Sequence, residues 1–270
     1  MLQQLKRPIG RWLQQTGRLE GFRDSAPYSW YLRLFFPAFA RRKALELEVY
    51  RRLLPDDRLI FDIGANIGSK AILFTKLAAQ VVCVEPDAAC VDVLRRRFQR
   101  NPDVRIVHAA VVGDSAGTGT LFKLAGASSY NTLSPKWLAL LTDQAKPRFA
   151  SPPEQEAGEI VPTTTLDRLI ARFGTPSYIK IDVEGSELSV IKGLSTTVPL
   201  VSFEAILPEF REETLQILDL LHARAPDGRF NYCLDDPGPE LASPEWLTYD
   251  AMRAFVGRGE GLLMEIYFRS

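Results

Sequence analysis

A glycine-rich turn and the acidic residue that follows it are the first features of the sequence that could do chemistry. Gly64 and Gly68 come after an apolar run that ends in Asp62, and a helical pattern begins directly after them. Such a turn brings the unpaired N–H groups of a helix start to the edge of a sheet, where a ligand can meet them. Glu85, about twenty residues further on at the end of the next apolar run, is placed to accept hydrogen bonds from both hydroxyls of a ribose. These residues predict a nucleoside-binding site.

The residues inside the turn indicate which kind of nucleoside fits. Dinucleotide-binding sites carry the fingerprint G-x-G-x-x-G, and Asn66 stands where its second glycine would be. Ala65 and Asn66 keep the turn small and polar, which suits an amino-acid tail better than a pyrophosphate. A nicotinamide-dependent dehydrogenase uses the same ribose-binding acid, but its pyrophosphate needs a glycine where Asn66 stands. This class of enzyme is therefore kept only as an alternative.

A second group of charged residues lies around two later strand ends. Asp182 ends one predicted strand, Glu184 follows it in a tight turn, and Glu204 ends the next strand. Because open α/β sheets bind ligands at the carboxyl ends of their strands, these carboxylates should share one mouth of the sheet, where they could take a proton from an acceptor. Lys180 shares a strand face with Asp182, since side chains alternate with period two. It could instead only compensate buried charge.

A metal ion is an alternative use of these carboxylates, since oxygen-rich sites bind Mg²⁺, which could orient an acceptor diol. Few other residues could ligate a metal. His108 lies near the end of a predicted strand and could touch an adenine or simply pack, while His222 lies on a distant helix. The three cysteines have no metal-binding spacing. We therefore predict a site without a metal.

The elements that must position these residues alternate along the chain from Leu59 onward. Apolar runs and stretches of helical periodicity follow one another, which is typical of strands and crossover helices in a mostly parallel sheet, so we predict a doubly wound α/β fold. Residues 144–161 contain several prolines and are predicted to be a loop, either a lid or a passive linker. The predicted strands are 58–62, 80–85, 104–111, 120–124 in an apparent hairpin, 178–182, 200–205, 230–234 and 262–268, and the predicted helices are 69–79, 88–100, 166–173, 187–194 and 212–223.

Five segments carry a resemblance to a known family. The chain resembles FkbM-type methyltransferases over about residues 58–206, and the most specific segments are the last two. The segments are F-D-I-G-A-N-I-G at 61–68, V-E-P-D at 84–87, H-A-A-V-V-G-D at 108–114, V-P-T-T-T-L-D at 161–167 and I-K-I-D-V-E-G-S-E at 179–187.

This resemblance implies a fold, a cofactor and a reaction. The fold would be a Rossmann-like sheet of seven strands in the order 3-2-1-4-5-7-6, with the last strand antiparallel. The cofactor would be S-adenosylmethionine, and the reaction would be methylation of a hydroxyl on a sugar, glycan or natural product. By the same resemblance Asp62, Gly64, Asn66 and Gly68 would hold the methionine end of the cofactor and Glu85 the ribose, while Pro86, Ala109 and Ala110 would lie beside the adenine. Ala65 and Asp182 are further candidates for cofactor binding.

The front of the chain lies outside this resemblance. Residues 1–57 are predicted to be a mainly helical extension, and residues 58–270 to be the methyltransferase domain. Residues 1–58 hold twelve basic and six acidic residues. Within them, the aromatic and basic residues 30–43 could contact a membrane interface or a partner protein, or could pack against the domain. A protein that binds S-adenosylmethionine without turnover, as a regulator or scaffold docked through this extension, is the alternative function.

Composition limits the kinds of partner and the cellular compartment that we expect for the protein. Lysine plus arginine and aspartate plus glutamate both total 33, so no net field recruits nucleic acid, and we expect a small-molecule or glycan acceptor instead. The start has no apolar run typical of a signal peptide, and no stretch approaches the roughly 20 apolar residues of a membrane span. The cysteines Cys83, Cys90 and Cys233 are odd in number and predicted to be reduced, which favours the cytoplasm.

Overall fold

The computed structural model describes residues 26–54, 58–77, 80–113, 115–143, 154–234 and 240–270. The strands are β1 (Leu59–Ile63), β2 (Gln80–Glu85), β3 (Val104–His108), β4 (Ala110–Val111), β5 (Gly117–Leu121), β6 (Glu159–Thr164), β7 (Tyr178–Ile181), β8 (Leu200–Leu207), β9 (Arg229–Leu234) and β10 (Leu262–Arg269). The helices are α1 (Ala26–Phe35), α2 (Pro37–Leu53), α3 (Ser69–Thr75), α4 (Ala88–Phe98), α5 (Pro135–Thr142), α6 (Leu166–Phe173), α7 (Glu187–Lys192), α8 (Arg211–Arg224) and α9 (Tyr249–Arg258).

Seven strands form the main sheet, in the order β3-β2-β1-β7-β8-β10-β9. The first five strands are parallel to one another, whereas β10 is antiparallel to both β8 and β9. Numbered along the chain within this sheet, the order is 3-2-1-4-5-7-6. The predicted fold class, strand order and antiparallel last strand are therefore confirmed.

Helices cover the main sheet on both faces, as parallel sheets require, because their strands are apolar on both sides. Phe61 of β1 belongs to the larger core cluster, to which α6, α7, α8 and α9 contribute buried side chains. Its neighbour Ile60 belongs to a second cluster, formed with side chains of α2, α3 and α4. This alternation along β1 follows the period of two of a strand.

A small second sheet, in the order β4-β6-β5, differs from the predicted elements. The run 104–111 is not one strand, because the chain leaves the main sheet after His108 and β4 pairs in parallel with β6. The strand predicted at 120–124 lies at Gly117–Leu121 and pairs antiparallel with β6 rather than in a hairpin with its predecessor. β6 itself takes up the end of the predicted loop 144–161. Residues 144–153 of that loop lie outside the described residues.

Two helices were not predicted, and both have a clear N-terminal signal. α5 begins after Ser134, whose hydroxyl accepts a hydrogen bond from the Trp137 N–H at 3.2 Å, and Pro135 occupies its first turn. α9 begins after Thr248, whose hydroxyl accepts from the Ala251 N–H at 3.3 Å. α4 begins after Asp87, whose carboxylate caps the helix by accepting from the Ala89 N–H at 2.8 Å.

The described part of the N-terminal extension is helical, and its second helix enters the core. Tyr50 on α2 is 1% exposed, and its ring lies 5.0 Å from that of Phe74 on α3 and 6.0 Å from that of Tyr178 on β7. Leu54 is buried in the same cluster. Among the described helices, none combines the length and the apolar character that crossing a bilayer demands.

Candidate functional site

The glycine turn after β1 lies directly against the end of β7. Gly64 has a φ of +81°, and a Cβ at this position would overlap the carbonyl oxygen of Asp182. Its N–H and that of Ala65 both donate to the carbonyl of Val84, at 3.0 and 3.1 Å. A glycine is needed here for both conformation and space, and it brings the turn into contact with the residue that follows β7.

Gly68 has a different structural role from Gly64. Its φ is also +81°, but a Cβ here would lie 2.7 Å from Leu94 and 2.8 Å from Phe98, both on α4. Its N–H donates to the carbonyl of Ala65 at 2.8 Å, which closes the turn. Gly68 therefore allows α3 and α4 to pack closely.

Glu85, at the end of β2, is buried and already holds the turn. One carboxylate oxygen accepts from the Asn66 N–H at 2.8 Å, and the other accepts from the Asp87 N–H at 2.9 Å. Each oxygen keeps acceptor capacity for a further donor, which two ribose hydroxyls could use. Burial raises the pKa of Glu85 to about 7, against the effect of the two N–H donors.

Asn66 connects the turn to the polar segment after β5. Its φ is +47°, a conformation that asparagine adopts more easily than most residues. Its side-chain oxygen accepts from the Ser128 hydroxyl at 3.3 Å. The side chain of Asn131 donates to Asp87 at 2.7 Å, so the segment 128–131 is fastened both to the glycine turn and to the start of α4.

A single cleft joins the turn, β2 and the mouth of β7 and β8. Its lining includes Gly64, Asn66, Glu85, Pro86, Ala109, Ala110, Asp182, Glu184 and Glu204 among the predicted site residues, and also Val111, Leu121, Leu133, Ser128, Ser129 and Ser186. The apolar members suit one face of a planar base, and the acceptors of Glu85 suit a sugar. The residues present therefore fit a nucleoside.

Four predicted site residues do not line this cleft. They are Asp62, Ala65, Gly68 and Lys180. Asp62 is 1% exposed and lies beneath the turn, and one of its carboxylate oxygens is buried without a hydrogen-bond partner among the described residues. Burial raises the pKa of Asp62 to about 6, although the Lys180 ammonium opposes the shift.

Three carboxylates meet at the cleft as predicted, although Glu204 lies within β8 and not at its end, because this strand continues to Leu207. Asp182, Glu184 and Glu204 each offer an oxygen, and these oxygens lie within 4.8 Å of one another. The buried ammonium of Lys180 contacts Asp182 at 2.7 Å. Lys180 is 3% exposed, so this ion pair compensates its charge, as the alternative interpretation of Lys180 expected.

The backbone around Glu184 is held in a strained turn. Glu184 has a φ of +54°, and its carbonyl accepts from the Thr132 hydroxyl at 2.6 Å. One oxygen of Glu187 accepts from the N–H groups of Val183 and Gly185, at 3.2 and 3.1 Å. These contacts hold the backbone at Glu184 and on both sides of it. Sequence reasoning missed Thr132 and Glu187 as supports, since only the folded chain brings their partners to them.

The electrostatics of the cluster favour proton uptake by Glu184. Burial raises the pKa of Glu184 well above its usual value, and the nearby carboxylates of Glu204 and Asp182 raise it further. A carboxylate with a raised pKa is a stronger proton acceptor. The same spacing also suits a divalent cation, which would bind to oxygen ligands. Removal of divalent cations with EDTA separates these two uses.

The two histidines lie outside this chemistry. The ring of His108 is 2.9 Å from the carbonyl of Pro86, at the adenine side of the cleft. His222 stacks on Tyr249 with the ring centroids 4.1 Å apart. Cys83, Cys90 and Cys233 are buried and free.

Known proteins resemble this chain over a large part of the domain. The family described as the methyltransferase FkbM domain matches residues 62–227. The methyltransferase sdnD of Sordaria araneosa is 31% identical over 160 residues, covering 52% of this chain and 62% of that protein. The ribosomal RNA small subunit methyltransferase A of Geobacter metallireducens is 30% identical, covering 46% of this chain and 44% of that protein. The hexuronic acid methyltransferase AglP of Haloferax volcanii is 27% identical, covering 58% and 60%.

The curated relatives match this chain over only part of their own length, and the family match is described by the residues of this chain that it covers. The chain spans less than two thirds of the length of each of these curated relatives. The family match covers residues 62–227, which is more than half of the chain, and includes the glycine turn, Glu85 and the three carboxylates. The chain belongs to the FkbM methyltransferase domain family.

Proposed function

We propose that the protein is an S-adenosylmethionine-dependent methyltransferase that methylates a hydroxyl of a sugar, glycan or natural product. The observation that carries this proposal is one continuous cleft, which holds Glu85 on one side and the carboxylates of Asp182, Glu184 and Glu204 on the other. A nucleoside cofactor and an acceptor bound in this cleft would lie next to each other.

The cofactor half of the cleft has the groups that the proposal needs. Glu85 would accept from the ribose hydroxyls, while Pro86, Ala109 and Ala110 would contact the adenine. Gly64, Asn66 and Asp182 would hold the amino-acid tail. When bound, S-adenosylmethionine supplies a methyl group on a sulfonium that an acceptor oxygen can displace in line.

The acceptor half supports chemistry at a hydroxyl. A hydroxyl must lose its proton as the new C–O bond forms, and in this proposal Glu184 would take that proton. Glu204 and Asp182 raise the basicity of Glu184, and Lys180 keeps Asp182 in place. Alignment of the hydroxyl with the methyl group would contribute as much as proton removal.

The proposed class of acceptor is supported by the charge of the cleft and by the name of one relative. Three carboxylates at the mouth would repel a phosphate backbone, which disfavours a nucleic-acid acceptor such as the one named for the ribosomal RNA relative. The name of the hexuronic acid methyltransferase is compatible with a sugar acceptor, whereas the name of sdnD specifies no acceptor. We therefore propose that the acceptor is a hydroxyl of a sugar, glycan or natural product.

Ligand binding tests the cofactor. S-adenosylhomocysteine should raise the melting temperature of the protein, because it binds only the folded state, whereas NAD should not. Glu85→Gln should weaken S-adenosylhomocysteine by roughly tenfold to a hundredfold, as expected for hydrogen bonds to a charged group. Glu159→Gln, which changes a carboxylate outside the cleft lining, is the control. Stabilisation by NAD alone would refute the proposal.

Turnover tests the reaction. The protein is incubated with methyl-labelled S-adenosylmethionine and with uronic-acid oligosaccharides, neutral sugars or fractionated cell extract. Label that resists mild alkali identifies a methyl ether, and label released by alkali identifies a carboxyl ester. Binding of S-adenosylhomocysteine without transfer to any fraction would favour the regulatory or scaffold alternative.

A further inference from the structure

The N-terminal helices expose an unusual concentration of large apolar side chains. Of the eight large hydrophobic residues that are exposed in the described part of the chain, five lie between positions 30 and 39. Trp30 is 73% exposed, Leu34 71% and Phe35 62%. We call Trp30, Leu34, Phe35, Phe36 and Phe39 the aromatic surface. Isolated exposed apolar residues are normal, but a group of this kind marks an interaction site.

Helix geometry makes this group one surface. Trp30 and Leu34 are four residues apart on α1, so they lie on the same side of the helix. α1 ends at Phe35 and α2 begins at Pro37, which places Phe36 at the junction and Phe39 in the first turn of α2. The ring of Tyr31 contacts those of Phe35 and Phe36, with ring centroids 5.0 Å and 5.8 Å apart respectively.

The surface is surrounded by positive charge. Arg33, Arg41, Arg42 and Lys43 are exposed, and residues 26–45 contain no acidic residue. The ammonium of Lys43 lies 5.1 Å from the centre of the Phe39 ring, so charge and apolar area are adjacent. This combination of aromatic and basic residues suits the interface of an anionic lipid bilayer.

A groove beside the aromatic surface has the same chemistry. It lies between α1, α2 and α3 and has a volume of about 650 Å³. Apolar side chains form part of its wall, Leu32, Phe39 and Ile72 among them, and four cationic side chains also line it, from Arg33, Lys43, Lys76 and Arg97. No acidic residue lines it among the described residues. Such a groove suits a ligand with an anionic head and an apolar chain.

We propose that α1 and α2 dock on an anionic phospholipid bilayer, with the aromatic surface at the level of the head groups. A second copy of the chain is the less suitable occupant, because a two-fold interface sets each patch against itself and would bring these positive charges together. An anionic bilayer instead offers apolar and negative groups to the same surface. The groove also contacts Ile67 and Ser69, so the docked side would adjoin the glycine turn.

Vesicle co-sedimentation of the full chain tests this proposal without any assay of activity. Vesicles of phosphatidylcholine with phosphatidylserine should bind the protein, and vesicles of phosphatidylcholine alone should bind it at least about tenfold more weakly. Binding should weaken as salt is raised, because counterions screen the basic residues. Equal binding to both kinds of vesicle, or no binding to either, would overturn the proposal.

Matched variants test which residues are responsible. The pair Trp30→Ala and Phe35→Ala should lower binding on the order of tenfold or more, while Ile160→Ala with Leu234→Ala, which changes exposed apolar residues elsewhere, should leave it unchanged. The pair Arg41→Gln and Lys43→Gln should also lower binding about tenfold, and Arg168→Gln with Arg172→Gln should not. Equal effects of test and control pairs would contradict docking at this surface.

Insertion and self-association provide two further measurements. Lipids that carry a quencher in the bilayer should reduce the fluorescence of the wild-type chain more than that of Trp30→Phe, since Trp30 would enter the interface. Light scattering without lipid should give the same mass for the wild-type chain and for the pair Trp30→Ala and Phe35→Ala. A dimer that this pair dissociates would mean that the surface is an interface between copies and not a membrane site.

Discussion

Glu184 is the residue whose reactivity depends most on its neighbours. Its side chain is partly buried and lies among carboxylates, and both effects raise its pKa well above the usual value. As a proton acceptor it must be ionised, so turnover should rise as pH increases through this raised pKa. The groups that raise the pKa also make the ionised form a stronger base.

Replacement of Glu184 tests its role as the base. Glu184→Gln should lower turnover by roughly 10²- to 10⁴-fold, the usual contribution of a general base, while S-adenosylhomocysteine still binds. The variant should also lose the rise of turnover with pH. Glu260→Gln, which changes an exposed carboxylate paired with Arg211, is the control. A Glu184→Gln variant that keeps its turnover and its pH profile would remove Glu184 from the chemistry.

Glu187 shows how burial of a carboxylate makes stability depend on pH. Burial raises its pKa from 4.5 to about 7, although the N–H groups of Val183 and Gly185 oppose the shift. Between these two values the folded protein binds more protons than the unfolded chain. The free energy of unfolding should therefore fall as pH rises from about 4.5 to about 7, by at most on the order of 3 kcal/mol for this one group.

Glu187→Gln isolates this contribution. Both N–H groups donate to the same oxygen of Glu187, and the carbonyl oxygen of glutamine can accept from both in its place. The variant should be more stable than the wild-type chain at pH 8, and its stability should change less between pH 5 and pH 8. Urea titrations at the two pH values measure both effects. A variant that is less stable than the wild-type chain at pH 8 would contradict the expectation.

The glycine turn fixes the positions of two strand ends. Gly64 and Gly126 both have a positive φ, +81° and +70°, but only Gly64 faces another backbone. Gly64→Ala should therefore destabilise the fold by more than about 3 kcal/mol, because a Cβ would push β1 away from the end of β7. Gly126→Ala, with open space around it, should cost only about 1 kcal/mol. Similar losses for the two variants in thermal or urea unfolding would mean that backbone conformation alone requires Gly64.

The elements that the sequence predicted correctly share a strong local signal. Strands such as β1, β2 and β7 are apolar runs of the main sheet, and α6 begins at a threonine cap and stops at Gly174. The elements of the second sheet have no such signal. β4 is two residues long, and β6 alternates buried and exposed residues after a proline-rich stretch, so only their mutual pairing defines them.

The part of the site that lies at strand ends could be predicted from the sequence. The turn, Glu85 and Asp182 end or follow strands of the main sheet, and in an open α/β sheet such ends meet at one edge. Glu204 was predicted to end its strand but lies within β8, which continues to Leu207. Thr132 contacts Glu184 across 52 positions of sequence. That contact depends on the path of the chain between β5 and α5, which the second sheet determines.

At the scale of the whole molecule, the N-terminal helices have two kinds of surface. One end of α2 supplies Tyr50 to the core between α3 and the main sheet, while α1 and the start of α2 expose the aromatic surface. The extension was predicted from sequence as a part separate from the domain. We expect instead that residues around Tyr50 fold together with the sheet, because their contacts lie on β7 and α3.

Two aromatic truncations in the extension distinguish these surfaces. Tyr50→Ala should lower the free energy of unfolding by about 3 to 5 kcal/mol, because it leaves a cavity against Phe74 and Tyr178. Phe35→Ala, at a side chain that is 62% exposed, should change it by less than about 0.5 kcal/mol. Urea unfolding followed by circular dichroism should show a single transition in both variants. A loss below about 1 kcal/mol for Tyr50→Ala, or a separate early transition, would mean that the extension is not part of the cooperative core.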